Sequence, residues 1–247
     1  MTPEDQRKKD NFDFVRLSIP KITTGSSPFD DQLGGGLPIC CITDVFGAAG
    51  TGKTQFSFQN AVTTCQFLHD LGVKGTKVVF VDCAGSFRPE RIVEISDNRS
   101  VSASMVLESI YSISVRSAAS QVEVNRRLEE EPSFSNCRLL IVDDVTTNFV
   151  SDFSKESEIP ARQRTISLYA RRLAHLANKR GLSVLMSNSV RSRGDLGEGE
   201  TTGEVLSEFC LYKLHFTRFN ATRYSQLVQP SLSKRKITFE IGAAGIA

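Results

Sequence analysis

Residues 47–54 read Gly-Ala-Ala-Gly-Thr-Gly-Lys-Thr, and no other stretch of the chain restricts its fold as severely. They satisfy the pattern G-x-x-x-x-G-K-[ST] in full. Glycines let the backbone curl until several N–H groups converge on one anion, where side chains would obstruct them. Gly47, Ala48, Ala49, Gly50, Thr51 and Gly52 would form that cradle, Lys53 would bring a charge to the outer phosphates, and the Thr54 hydroxyl would ligate Mg2+. The expected ligand is therefore ATP with Mg2+. Such a loop needs a buried strand before it and a helix after it. The β-prone run Ile42–Phe46 precedes it, and Gln55–Leu71, free of Gly and Pro, follows it.

The rest of the chain supplies a sheet for that unit. Lys77–Asp82, Arg138–Asp144 and Ser183–Ser189 are continuous apolar runs, the pattern of parallel strands buried on both faces. Ile110–Arg116 alternates apolar residues with serine and predicts an edge strand. Gln121–Glu131 and Ala161–Arg180 predict helices; in the second, Ile166, Tyr169, Leu173, Leu176 and Ala177 make one stripe at 3/4 spacing. After residue 209 three runs, Cys210–Phe216, Tyr224–Gln229 and Lys236–Ile241, are joined by short links and predict an antiparallel meander. The result is an α/β fold with a mostly parallel central sheet, helices on both faces and a C-terminal meander. A chain of 247 residues suits one such domain, expected at 21–247 behind a polar tail at 1–20.

In open sheets of this kind the ligand sits at the carboxyl ends of the strands, where the loop, Asp82 and Asp143 all fall. A carboxylate closing a buried strand asks for a cation, which makes Asp143 the partner of Thr54 at the metal. Asp144 is expected to point the other way. Six cysteines without a CxxC pair, beside three histidines, argue against a zinc site and a disulfide framework. No apolar run reaches the length of about 18 residues that spans a membrane, and no apolar signal segment opens the chain. A cytoplasmic protein with reduced thiols and no membrane partner is expected.

Beyond the loop, ITTGSSPFDDQLGGGL from Ile22, VVFVDCAGSFRPERI at 78–92, LLIVDD at 139–144, ARQ at 161–163, VLMSNSV at 184–190 and FEIGAAGI at 239–246 together resemble the RecA/RadA recombinase ATPases. The resemblance is to the short RadB-like archaeal paralogues that lack an N-terminal helical DNA-binding domain. It implies a P-loop NTPase core of RecA type, DNA as a ligand (single-stranded in preference), and a full-length RadA-type recombinase as partner. It also implies that Arg91, in FRPER, packs on the adenine ring.

Two positions depart from the family pattern. Ala84 stands where active recombinases carry the glutamate that positions the attacking water, and losing a general base costs about 10²–10⁴-fold. Ser189 stands where a glutamine senses the terminal phosphate and couples it to DNA. The resemblance places one DNA-binding loop at Phe149–Pro160, where Lys155 is the lone cation and Phe149 and Phe153 are candidates for base stacking or core packing. It places the second at 191–206, opened by Arg191 and Arg193. Both arginines close a segment, Ala161–Gly194, with eight Lys/Arg and no acid. Three functions stay open at this point: an accessory recombination protein with weak or no hydrolysis, a DNA-dependent ATPase catalysing strand exchange, and a superfamily signalling ATPase without a DNA role.

Overall fold

The computed structural model describes residues 19–192, 198–200, 204–230 and 236–247. Two short strands, β1 (Lys21–Ile22) and β2 (Leu37–Pro38), pair with each other and flank helix α1 (Ser27–Leu33). Strand β3 (Ile42–Gly47) then enters the phosphate loop, which leads directly into α2 (Lys53–Asp70). Next come β4 (Val78–Asp82), helices α3 (Pro89–Asn98) and α4 (Ala103–Ser109), β5 (Ile110–Ser114), α5 (Ala118–Glu130) and β6 (Leu139–Asp143). A short α6 (Thr147–Asp152) and the long α7 (Ile159–Arg180) lead to β7 (Ser183–Ser192), β8 (Glu198–Glu200) and α8 (Glu204–Ser207). The chain closes with β9 (Cys210–Phe219), β10 (Thr222–Gln229), β11 (Lys236–Phe239) and the small pair β12 (Ile241–Gly242) and β13 (Gly245–Ile246).

The central sheet runs β11-β10-β9-β3-β7-β6-β4-β5. From β9 to β5 every pairing is parallel, and β9, β10 and β11 form the antiparallel meander at one edge. This is the mostly parallel architecture with a C-terminal meander that the periodicity predicts. Register decides what shares the upper rim. Asp82 lies opposite Asp143, and Gly47 lies opposite both Ser189 and Phe216.

Strands that read as unbroken apolar runs divide their side chains between two cores. Val78, Phe80, Leu139, Ile141 and Leu185 join one core with α1 to α4, while Val79, Val81, Leu140, Val142, Val184 and Met186 join the other with α5 to α7. The stripe on α7 is buried as expected: Ile166, Tyr169, Leu173, Leu176 and Ala177 are each at most 2% exposed. Pro160 starts that helix without losing a needed N–H, and Gly181, at φ 63, ends it in a left-handed cap.

Two expectations about loops are corrected. The stretch 149–160 is largely helical: α6, a 3-10 turn at Glu156–Glu158 and the first turn of α7 occupy it. Phe149 is fully buried with its ring 5.4 Å from that of Tyr169, and Phe153 packs against the same core, so core packing claims both aromatics. At the other site, β7 continues to Ser192 because β8 pairs back on it, with Arg191 opposite Gly199. Arg191 therefore belongs to a hairpin strand, and Arg193 lies outside the described residues.

Candidate functional site

A cleft of about 670 Å³ opens at the carboxyl rim of the sheet and is lined by Ala49, Gly50, Gly52, Lys53, Thr54 and Gln55. Ala84, Asp143, Asp144, Ser187 and Ser189 form its wall from the neighbouring strand ends, and Arg91, Arg223, Ile241 and Gly242 close it from two further elements. One region thus gathers Ala49, Gly50, Gly52, Lys53 and Thr54 of the loop with Asp143, Arg91 and Ala84, while Gly47, Ala48 and Thr51 are not among its lining residues. Lys155 is not among the lining residues; it is exposed, with its backbone N–H donating to Glu158 Oε2 at 3.0 Å.

Two glycines are fixed by the packing of the loop. A Cβ at Gly47 would collide with the Phe216 carbonyl of the adjacent strand. At Gly52, φ is 110, and a Cβ would sit 3.0 Å from Ile241 and 3.2 Å from the Phe239 ring. That ring belongs to a cluster with Phe29 and Phe216, extended through Phe56, which backs the loop and the start of α2. Gly52 is also the N-cap of α2, with no side chain capping it. The free N–H groups of the first turn and the helix dipole therefore face the cleft.

Lys53 Nζ donates to the carbonyls of Gly47 and Ala48 at 2.7 and 2.9 Å, curling back over the loop. Burial lowers its pKa, opposed by the nearby carboxylates of Asp144 and Asp143. Thr51 braces the loop from within, its hydroxyl donating to the Ala48 carbonyl at 2.9 Å.

Asp143 is 1% exposed and makes no ion pair among the described residues. Hydroxyls answer its charge: Thr54 Oγ1 at 2.9 Å and Ser86 Oγ at 2.5 Å donate to Oδ2, and Ser187 Oγ at 2.6 Å donates to Oδ1. A buried carboxylate whose hydrogen-bond donors are all neutral, with the Lys53 ammonium nearby but not bonded to it, retains excess negative charge. Beside a threonine hydroxyl it offers hard oxygen ligands of the kind Mg2+ takes when waters and phosphates complete its shell. The residues present fit that ion. Asp82, on the same rim, instead accepts from Ser86 and Phe87 N–H groups at 2.9 and 3.2 Å and shapes the turn after β4.

Arg91 is held rather than free. Its guanidinium donates to Gln55 Oε1 at 2.7 Å, to Glu94 at 2.6 Å and to the carbonyls of Gly242 and Ala243 at 2.6 and 3.1 Å. These contacts hold the edge of the guanidinium against the β12–β13 turn at the cleft rim.

Asp144 departs from the expected direction. The strand ends at Asp143, and Asp144 takes φ 58, so strand alternation no longer governs its side chain and it faces the same cleft. Its N–H donates to Ser187 Oγ at 2.7 Å, and its Oδ2 accepts from Ser189 Oγ at 3.0 Å. Sequence reasoning missed Ser86, Ser187 and Arg223. A spacing of two on β7 was the available signal for Ser187, since it shares a strand face with Ser189. Arg223 comes from β10, far along the chain, and carried no local signal.

Among the described residues no helix is long and apolar enough to cross a membrane. The Rad51 family model matches residues 15–247. The DNA repair and recombination protein RadA of Cenarchaeum symbiosum is 32% identical over 241 residues, covering 94% of this chain and 59% of that protein. The meiotic recombination protein DMC1 homolog B of Oryza sativa subsp. japonica is 38% identical over 181 residues, 71% of this chain and 51% of that one. Saccharomyces cerevisiae DMC1 is 33% identical over 178 residues, 72% and 53% of the two chains. The chain thus spans between about half and three-fifths of these relatives. With the family model covering nearly its whole length and its sheet of the RecA type, the chain belongs to the Rad51 family.

Proposed function

We propose that this protein binds ATP with Mg2+ and DNA, and that it serves homologous recombination and repair as a RadB-like accessory to a full-length RadA-type recombinase, hydrolysing ATP weakly or not at all. Residues 21–247 form the nucleotide-binding core in this reading. The observation that carries it is the contrast within one cleft. The phosphate-loop pattern from Gly47 to Thr54 and the Thr54–Asp143 contact support a metal-bound triphosphate as ligand, whereas the position expected to hold a water-directing glutamate is Ala84.

Each residue has a definite task in this scheme. Backbone N–H groups of residues 48–54 take the β-phosphate, and Lys53 leaves the Gly47 and Ala48 carbonyls for the outer phosphates. Thr54 and Asp143 would hold Mg2+, which would neutralise charge on the phosphates. Arg91 covers the base with a guanidinium that Gln55 and Glu94 already orient. DNA contact is assigned to Arg191, Arg193 and Lys155, with single strands preferred. The relatives' names, RadA and DMC1, support recombination as the setting.

Titration of a fluorescent ATP analogue in the presence of Mg2+ tests the nucleotide assignment. Saturable binding that Lys53→Ala abolishes is expected; binding that survives the substitution would place the nucleotide elsewhere.

A further inference from the structure

Asp143 and Asp144 are the two carboxylates lining the cleft, and they are not equivalent. Asp143 is taken by three hydroxyls and belongs to the metal. Asp144 is half-buried and in a left-handed conformation that a non-glycine residue adopts at a cost. Several groups hold it there. Ser187 accepts from its N–H at 2.7 Å, Ser189 donates to Oδ2 at 3.0 Å, and Thr146 Oγ1 lies 3.4 Å from Oδ1. Each oxygen keeps a lone pair for a further donor. The same wall of the cleft carries Ala84, whose methyl group can accept nothing.

We propose that the hydrolysis this site retains is the weak one rather than none, that Asp144 holds and orients its attacking water less effectively than the glutamate missing at Ala84 would, and that Ser189 is the positioning residue for Asp144. This rests on the ATP-binding reading above. The two departures from the family pattern then become one arrangement. Ala84 removes a carboxylate from one strand end, Asp144 supplies one from the next strand, and a serine at 189 is short enough to brace it. In the step itself a lone pair on the water oxygen forms the new bond to the terminal phosphorus. The bond from phosphorus to the bridging oxygen breaks, its electron pair leaves with ADP, and both protons of the water end on the released inorganic phosphate as dihydrogen phosphate, which gives one up to solvent. Asp144 contributes a hydrogen-bond acceptor that fixes the direction of attack. A carboxylate one water away from the terminal phosphate also repels it, so this geometry favours turnover at some expense in ATP affinity.

Single-turnover hydrolysis and separate titrations with ATP and ADP, all with Mg2+ on the full chain, test the proposal. Asp144→Asn is expected to lower turnover by about a hundredfold or more, to tighten ATP by about three- to tenfold, and to leave ADP affinity unchanged, which also shows that the variant folds. Adding Ala84→Glu to Asp144→Asn should restore turnover. Ser189→Ala should lower kcat with KM unchanged, and Ser189→Thr should retain activity. Unchanged turnover and an unchanged ATP-to-ADP preference in Asp144→Asn would overturn the assignment. Wild-type turnover no greater than that of Lys53→Ala would also overturn it, while leaving nucleotide binding intact; absence of wild-type binding would remove both readings.

Discussion

Replacing Asp143 by asparagine separates the metal role of this residue from its role in the fold. Three hydroxyl donors surround the carboxylate, two on Oδ2 and one on Oδ1. Hydrogen bonds to a charged group contribute about 1 kcal/mol more than neutral ones, so asparagine forfeits about 3 kcal/mol across the three. Against this stands the desolvation of a carboxylate only 1% exposed, several kcal/mol that asparagine escapes. The two nearly cancel, and the ligand-free Tm should move by only a few degrees. Ligand linkage behaves differently. ATP with Mg2+ at about a hundred times Kd stabilises the native state by about 2.7 kcal/mol, which for a chain of this size is a Tm rise of about 5–11 °C. A lost metal ligand raises Kd by about a hundredfold, leaving about 0.4 kcal/mol and a rise of about 1–2 °C. Thermal shift assays at matched ATP concentration, in Mg2+ and in EDTA, read this directly. In EDTA both proteins should shift alike. A variant that keeps the full shift in Mg2+ would refute the assignment of Asp143 to the metal.

Other outcomes follow from particular contacts. Lys213 and Asp44 are 3% and 0% exposed and 3.4 Å apart on neighbouring strands, one of which feeds the phosphate loop. Lys213→Met alone should destabilise by about 3–5 kcal/mol, and adding Asp44→Leu should recover most of it, as urea unfolding would show. Iodoacetamide at pH 8 should modify exposed Cys40 first and half-buried Cys41 more slowly, because burial and the neighbouring Cys40 raise the Cys41 pKa. Cys65 and Cys137, each pushed by burial to about 12, should react only after unfolding, and mass spectrometry would place the adducts. Reversing charge at Arg191 and Lys155 should weaken single-stranded DNA binding and flatten its salt dependence by about 0.7 in log–log slope for each lost phosphate contact; an unchanged slope would remove these residues from the DNA site.

The fold was legible wherever burial imposes a period. Apolar runs ending in Asp82 and Asp143 named two strands of the parallel sheet, and the 3/4 stripe on Ala161–Arg180 named the helix that covers one face. The phosphate loop was legible because its conformation tolerates so few residue types. The direction of Asp144 was not, since strand alternation stops where the strand does and a φ of 58 leaves no mark in the sequence beyond an Asp that tolerates it. The length of β7 was missed for a different reason. Its last residues pair with β8 across residues 193–197, Arg-Gly-Asp-Leu-Gly, whose two glycines and Asp read by composition as a loop. Ser86 became part of the site only through the turn that Asp82 organises, a contact four residues long that no periodicity reports.

The division between holding ATP and splitting it is tested most directly by steady-state ATP turnover with and without single-stranded DNA, run beside a nucleotide titration on the same preparation. The expected result is saturable, Lys53-dependent binding together with slow turnover that single-stranded DNA barely raises. Robust turnover stimulated many-fold by single-stranded DNA would contradict it and make this protein a working recombination ATPase.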